Sequence, residues 1–300
     1  MPKLGETDPF PIAAIDLGGT KCAVAVGFDQ IEEVKSFKTP DTLDETVDAI
    51  YVEVEAQLDG RSLAGFGCAI AGEVSESGET IVRAGPLQER GWVDLPIKRK
   101  LVEKLNVDPE TGHILNDAGA AALAEREEAE RQGLLVVPGF QAFIETISSG
   151  NGGAIFDKDG ATNVEPGHID SGKEAPVVCG CGKPNCIEAW ISGNSVAQAW
   201  GTSMETVKDP NDPRWEAYLE TLFEMQQIKL EALRRRGYDP KLWSLFGSVA
   251  LKGPRMVVED FRDRLVVVEP DIQVIRATYG DRSGLYGAYF AAQAMLAEAA

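Results

Sequence analysis

Apolar residues in this chain fall into short runs broken by glycine turns, and these runs alternate with longer stretches of helical periodicity. Residues 12–15 are an apolar run ending at Asp16, followed by Gly18, Gly19, Thr20 and Lys21 and a second run over 22–28. That pattern predicts a strand, a tight glycine turn and a returning strand. Residues 31–37 offer a third strand. Thr42 and Glu45 have capping-box spacing, after which Val47, Ile50, Tyr51, Val54 and Leu58 share one helical face. A strand over 63–70 comes next, then a glycine-punctuated hairpin or loop over 71–91 and a helix over 97–105. Residues 113–116 read as a short strand running into Asp117, where an alanine-rich helix starts and continues to about residue 131.

The pattern restarts at residue 140. A strand to 148 leads into Gly150, Asn151, Gly152 and Gly153, then a short strand through 156. A charged amphipathic helix covers 214–236, and the 201–236 segment is open to three roles: dimer element, lid or solvated insertion. Strands over 242–247 and 272–277, with helices over 254–265 and 283–299, complete the chain. Strands alternating with helices define an α/β class, and the recurring strand–glycine turn–strand suggests two α/β domains.

Composition fits that expectation. Three hundred residues exceed one ordinary core, so one large or two modest domains are expected. Hydrophobic residues make up 44% and charged residues 26%, enough for a sizeable core. A net charge of -19 disfavours a sequence-independent nucleic-acid surface, which needs clustered Lys and Arg. It does not exclude an anionic substrate, because backbone amides and a metal ion act locally. The first residues lack a basic region followed by an apolar run, and no run reaches membrane-spanning length. The expected compartment is the reducing cytoplasm. Cys22 and Cys68 lie in strand-like runs and are expected to be buried, inert thiols.

The densest chemistry lies in 165–188, EPGHIDSGKEAPVVCGCGKPNCIE. His168, Cys179, Cys181 and Cys186 offer one imidazole and three thiolates, the donor set of a closed, structural zinc site. Four protein ligands leave no open position for water, so a catalytic zinc is not expected. Glu165 and Glu188 bracket the ligands as acceptors suited to a molecule rich in hydroxyls. In the first glycine turn, Gly18 and Gly19 allow a backbone nest for phosphate oxygens, Thr20 and Lys21 add a hydroxyl and a charge, and Asp16 could hold a hydrated magnesium ion. A plain β-hairpin reads equally well there. Asp117 at a strand end has two readings, a general base or a helix N-cap, and on the residues alone capping carries more weight.

Taken together these motifs resemble the ROK family of repressors, open reading frames and sugar kinases, over nearly the full length. The resemblance rests on DLGGTK at 16–21, NDAGAAALAE at 116–125, EPGH at 165–168, CGCGKPNCIE at 179–188 and YGDRSGLYGAYFAA at 279–292. It implies a two-domain actin-like ATPase (ribonuclease H-like) fold with an interdomain cleft and a zinc knuckle. The smaller domain would cover 1–116, completed by a C-terminal helix at about 284–300, and the larger 117–283. The implied activity is transfer of the ATP γ-phosphate to the 6-hydroxyl of a hexose, glucose first. N-acetylglucosamine, N-acetylmannosamine and fructose are alternatives, followed by polyphosphate as donor and by a sugar-binding protein without catalysis. Asp117 would be the base, while Asn116, Glu165, His168 and Glu188 would bind the sugar, His168 through the ring nitrogen that does not face zinc. Gly18, Gly19 and Thr20 would cradle phosphate from one domain and Ser149, Gly150 and Gly152 from the other, with Gly247 beside the adenosine. The implied cofactors are structural Zn2+ and Mg2+ with ATP, and the implied assembly is a homodimer.

Two motifs and two single positions depart from the family pattern. The second phosphate motif, usually Gly-Thr-Gly-x-Gly-Gly-Gly, is Ser148-Ser149-Gly150-Asn151-Gly152-Gly153-Ala154, and the adenosine glycine triplet is reduced to Phe246-Gly247-Ser248. Gly119 replaces a second asparagine, and Pro86 stands where many relatives carry asparagine. The family's repressors carry a helix-turn-helix domain of ~60 residues ahead of the phosphate motif. Residues 1–11 contain nothing of that kind, so no DNA partner is expected.

Overall fold

The computed structural model describes residues 11–28, 30–84, 87 and 90–299. Pro86 lies outside the described residues. Two compact units emerge, Met1–Ala124 with Gly284–Ala300, and Glu125–Ser283.

In the first unit, β1 (Ile12–Leu17) turns through three residues into β2 (Lys21–Gly27), and β3 (Lys35–Lys38) follows. The expected strand over 31–37 is displaced toward its C-terminal end. Ile31 makes only an isolated bridge to Gly27 and buries its side chain against α9 (Ser283–Ala299), serving as a core plug while β3 carries the ladder. Helix α1 (Leu43–Leu58) begins at the predicted capping box, with Thr42 Oγ1 accepting from the Glu45 N–H and Glu45 reaching back to the Thr42 N–H. Loss of such a cap costs about 1 kcal/mol. Strand β4 (Gly65–Ile70) is buried at every residue, as a central parallel strand requires. The 71–91 stretch supplies β5 (Glu73–Val74) and β6 (Ile81–Arg83), and the unpredicted β7 (Val93–Leu95) joins them in a three-stranded sheet. Helix α2 (Ile97–Leu105), β8 (Gly112–Asn116) and α3 (Asp117–Arg131) fall where the periodicity placed them. The main sheet runs β3-β2-β1-β4-β8, antiparallel over the meander and parallel from β1 through β8.

Small residues explain how tightly this unit packs. A Cβ added at Gly67 on β4 would sit 1.8 Å from the Ala288 carbonyl oxygen of α9, and one at Gly287 would sit 1.7 Å from the Ala120 carbonyl oxygen of α3. Ala69, Ala120 and Ala288 form a fully buried cluster at that crossing. The alanine-rich sequence of α3 serves this close approach.

The second unit repeats the topology. Strands β9 (Ala142–Ile147), β10 (Asn151–Asp157) and β11 (Gly160–Asn163) form an antiparallel meander. Short helices α4 (Glu188–Ile191) and α5 (Gly193–Trp200) precede the long α6 (Pro213–Arg235). Then come β12 (Leu242–Phe246), α7 (Ser248–Lys252), α8 (Val257–Val268) and β13 (Gln273–Arg276). The sheet order is β11-β10-β9-β12-β13, with β12 parallel to both β9 and β13. In its core Trp243 makes edge contacts with Phe143 and Phe261, and Trp215, Leu222 and Leu230 of α6 belong to the same buried cluster. Trp215, Tyr218, Leu219, Leu222, Met225, Leu230 and Leu233 are all buried, so α6 is a core helix and not a solvated insertion. No helix among the described residues is long and apolar enough to cross a membrane.

Candidate functional site

Two three-residue turns occupy equivalent places in the two sheets. Gly18–Thr20 links β1 to β2, and Ser148–Gly150 links β9 to β10. The first is pinned by the buried Thr39, whose Oγ1 donates to the Gly18 carbonyl at 2.7 Å and whose N–H donates to the Thr20 carbonyl at 3.0 Å. Thr20 and Lys21 are exposed beside it. Asp16, one residue before the end of β1, lies against the start of α9, where a Cβ at Gly284 would come within 3.2 Å of its carboxylate.

At the end of β8 the division of labour differs from the expectation for Asp117. Asn116 is the cap: its Oδ1 accepts from the Ala118 N–H at 2.9 Å and the Gly119 N–H at 3.3 Å, and its Nδ2 donates to the Gly72 carbonyl at 2.7 Å. Asp117 Oδ1 accepts from Ala118 N–H at 2.8 Å. An amide fits the cap because Oδ1 and Nδ2 serve opposite partners at once, which a carboxylate cannot do. Capping therefore rests mainly on Asn116, and Asp117 stands at the head of α3 with one carboxylate oxygen on the Ala118 N–H.

The cysteine-rich segment folds back on itself. Cys179 N–H donates to the Lys183 carbonyl and Gly182 N–H to the Cys179 carbonyl, closing a tight turn, while Cys186 bridges Asp170. One donor atom from each of His168, Cys179, Cys181 and Cys186 lies within 4.8 Å of the others. His168 Nδ1 is 3.6 Å from Cys179 Sγ, and Cys181 Sγ is 3.5 Å from Cys186 Sγ. Burial pushes the Cys179 and Cys186 thiols up; at Cys181 burial is again the largest single influence, but the Lys183 N–H and the neighbouring thiols together outweigh it and hold this thiol below the usual range. Thiols so divided need a cation to become thiolates together, and the donor set fits zinc. With Nδ1 turned to the sulfurs, Nε2 is the ring nitrogen left for another partner.

Glu188, first residue of α4, stands next to this knuckle. Its Oε1 accepts from Cys179 Sγ at 3.5 Å and its Oε2 from the Asn151 N–H at 2.9 Å. A Cβ at Gly150 would lie 3.1 Å from the same Oε2, so the second glycine turn, Glu188 and the cysteine cluster adjoin. Ser149 is exposed at the turn's tip, and Gly152 is half-buried on β10. Glu165 adopts a left-handed φ of 45°, uncommon for a residue with a side chain, held by Asn163 accepting its N–H and donating to its Oε1. Gly247 has φ 97°, and a Cβ there would meet the Ile147 carbonyl at 2.6 Å. Glycine is required at 247 by its packing against β9.

Beneath the second turn lies a group that the sequence reading missed. Glu145 of β9 is fully buried and paired with the equally buried Lys229 of α6. Asn151 Nδ2 donates to Glu145 Oε1 at 2.8 Å, while Gln226 Nε2 and Trp243 Nε1 donate to Oε2 at 2.7 and 3.0 Å. Burial pulls the Lys229 ammonium below its usual range, with Glu145 opposing that shift. Breaking such a pair from one side costs about 3–5 kcal/mol. Its signal in the sequence was a lone carboxylate inside the apolar run Phe143-Ile144-Glu145-Thr146-Ile147.

Twin sheets of this topology define an actin-like ATPase fold. The ROK glucokinase from Streptomyces griseus, solved with glucose and AMPPNP, superposes with a TM-score of 0.74 at 24% identity, over 95% of this chain and 99% of that one. The ROK hexokinase from Thermus thermophilus gives 0.75 at 24% identity, over 96% and 100%. The ROK family model matches residues 12–295, and the chain belongs to that family. Among curated relatives, the N-acetylmannosamine kinase of Shigella flexneri is 30% identical over 201 residues, 63% of this chain and 63% of that protein. The chain thus spans under two thirds of the length of the curated relatives it matches first.

Proposed function

We propose that this protein is a sugar kinase that transfers the γ-phosphate of ATP to the 6-hydroxyl of a hexose. The observation that carries the reading is the adjacency, within one unit, of a Cys3His cluster, the Glu188 carboxylate and the Ser148–Gly150 turn. Hydroxyl recognition and phosphate recognition then share one scaffold. Asp117 acts as the base on the primary hydroxyl, and Asn116, Glu165, His168 and Glu188 hold the sugar. His168 Nε2 is presented as a fixed donor because Nδ1 is committed to the cysteine cluster. Bound zinc supplies the charge that lets the three thiols ionise and the ring stay oriented. Backbone N–H groups at Gly19 and Thr20, and at Ser149, Gly150 and Gly152, meet phosphate oxygens, while Gly18 shapes the first turn by donating its own N–H to the Lys21 carbonyl at 3.0 Å, with the Lys21 side chain nearby and Gly247 beside the adenosine. Asp16 is the residue that would hold hydrated Mg2+, which supplies neutralisation of phosphate charge. Phosphoryl transfer asks mainly for in-line positioning, which these rigid turns provide.

Glucose is the first acceptor, because Glu165, His168 and Glu188 suit a pyranose with free equatorial hydroxyls. N-acetylmannosamine is the second, favoured by the name of the relative at 30% identity. A net charge of -19 disfavours polyphosphate as donor. A coupled assay with Mg-ATP across glucose, N-acetylmannosamine, N-acetylglucosamine and fructose, repeated with polyphosphate, tests the reading. We expect ATP-dependent phosphorylation with glucose turned over best. A chain that phosphorylates none of the panel is not this kinase.

A further inference from the structure

We propose that the buried Glu145–Lys229 pair and its neighbour Asn151 are positioning residues that hold the Ser148–Gly150 turn and Glu188 in the geometry that transfer requires. The proposal rests on the sugar-kinase reading for its consequence in turnover, but its structural half stands on the contacts alone.

Asn151 is the hub. Its Nδ2 donates to Glu145 Oε1 at 2.8 Å and to the Thr146 carbonyl at 2.9 Å, and its Oδ1 accepts from Lys229 Nζ at 3.1 Å. Its backbone N–H is the one that meets Glu188 Oε2. The side chain therefore fixes, from below, the peptide that orients Glu188 from above. On the other side of the turn, the Ser148 and Ser149 carbonyls accept the N–H groups of Gly193 and Asn194 at 2.7 and 3.2 Å, at the start of α5. Little slack remains, since a Cβ at Gly167 would stand 2.3 Å from the Asn151 carbonyl oxygen.

Stability alone gives no reason for this arrangement. An apolar pair of similar volume commonly packs as well as a buried ion pair or better. Gln226 even leaves its buried Oε1 without a partner while its Nε2 serves Glu145. The gain is directional: four donors converge on the Glu145 carboxylate, from α6, β10 and β12, and lock the start of β10. Helix α6 is thereby tied to the turn through side chains far apart in sequence.

The test compares wild type with E145L/K229M, which deletes the network, and E145Q/K229M, which deletes the charges but keeps an acceptor for Asn151. Hydrogen exchange over residues 147–152, zinc content and steady-state kinetics are read on each. For folded E145L/K229M with zinc retained, we expect exchange about tenfold faster or more. We also expect kcat lower by roughly 10–100-fold, with KM for sugar and ATP within about threefold, since small misplacement acts on the reacting geometry. E145Q/K229M should recover to within about fivefold of wild-type kcat. Wild-type exchange and kcat in folded E145L/K229M would overturn the proposal, as would equal kcat losses in both double variants. If E145L/K229M does not fold, N151V carries the same expectation and the same refutation, because it removes the hub and leaves the ion pair. Should the wild-type chain phosphorylate no sugar, the kinase reading falls, while exchange still decides whether the network holds the turn.

Discussion

The two sheets share one topology and one turn length, yet they secure their turns by different means. Under Gly18–Thr20 the strands present Ile15, Cys22, Val24 and Cys68, all fully buried, and a single threonine on the neighbouring strand side pins the loop. Under Ser148–Gly150 the strands present Glu145 and Asn151, satisfied by Lys229, Gln226 and Trp243. The first turn draws on adjacent glycines and an apolar floor. The second has serines where its family pattern has glycine and threonine, and its definition comes from a polar floor. The difference teaches that a loop's backbone path can be repeated while the support beneath it is rebuilt from other chemistry, and that the polar version ties its loop to a helix far off in sequence through a buried hydrogen-bond network.

The sharpest way to break this contrast is to remove chemistry from the first unit without touching its packing. Asp117→Asn preserves an Oδ1 to accept from the Ala118 N–H, so melting should stay near wild type. Loss of a general base should lower kcat by about 10²–10⁴-fold, while sugar binding, measured by calorimetry, persists. Unchanged turnover would remove Asp117 from the base role.

The second unit should instead fail through its knuckle. Cys186→Ser replaces a fully enclosed ligand, and metal content by mass spectrometry should fall from about one zinc per chain toward zero. Exchange should rise around His168 and Glu188 and leave β1 and β4 protected, and turnover should drop with them. A variant that keeps its zinc, or wild-type protein that contains none, would contradict the donor set.

The smallest expected effect probes the apolar design of the first unit. Gly67→Ala places a Cβ against the Ala288 carbonyl, 1.8 Å away before relaxation, so α9 must shift. A destabilisation of about 1–3 kcal/mol is expected, read as a lower denaturation midpoint. A neutral result would show that the α9 crossing has slack that the close approach denies.

Local chemistry made much of this protein legible before any fold was known. The Thr42–Glu45 cap, both glycine turns, the α/β alternation and the clustering of three cysteines with His168 depend on neighbours within one short stretch of chain, and short-range sterics and side-chain chemistry operate at that range. The 31–37 strand was misplaced because Ile31 answers to α9, more than 250 residues away, and not to its own strand ladder. Asp117 and Asn116 were both visible, but which side chain capped α3 depended on the Gly72 carbonyl opposite Asn116 Nδ2.

By itself, then, the sequence determined the class of the fold, the places of its turns and the four side chains, His168, Cys179, Cys181 and Cys186, that gather into a set able to hold a metal, because each follows from residue type and local spacing. Tertiary structure alone decided that α6 is a core helix, that Gly67 and Gly287 must lack side chains, and that Glu145 meets Lys229 across a separation of 84 positions. A buried charge has no meaning until its partner is known, and its partner is supplied by packing, which no local pattern encodes.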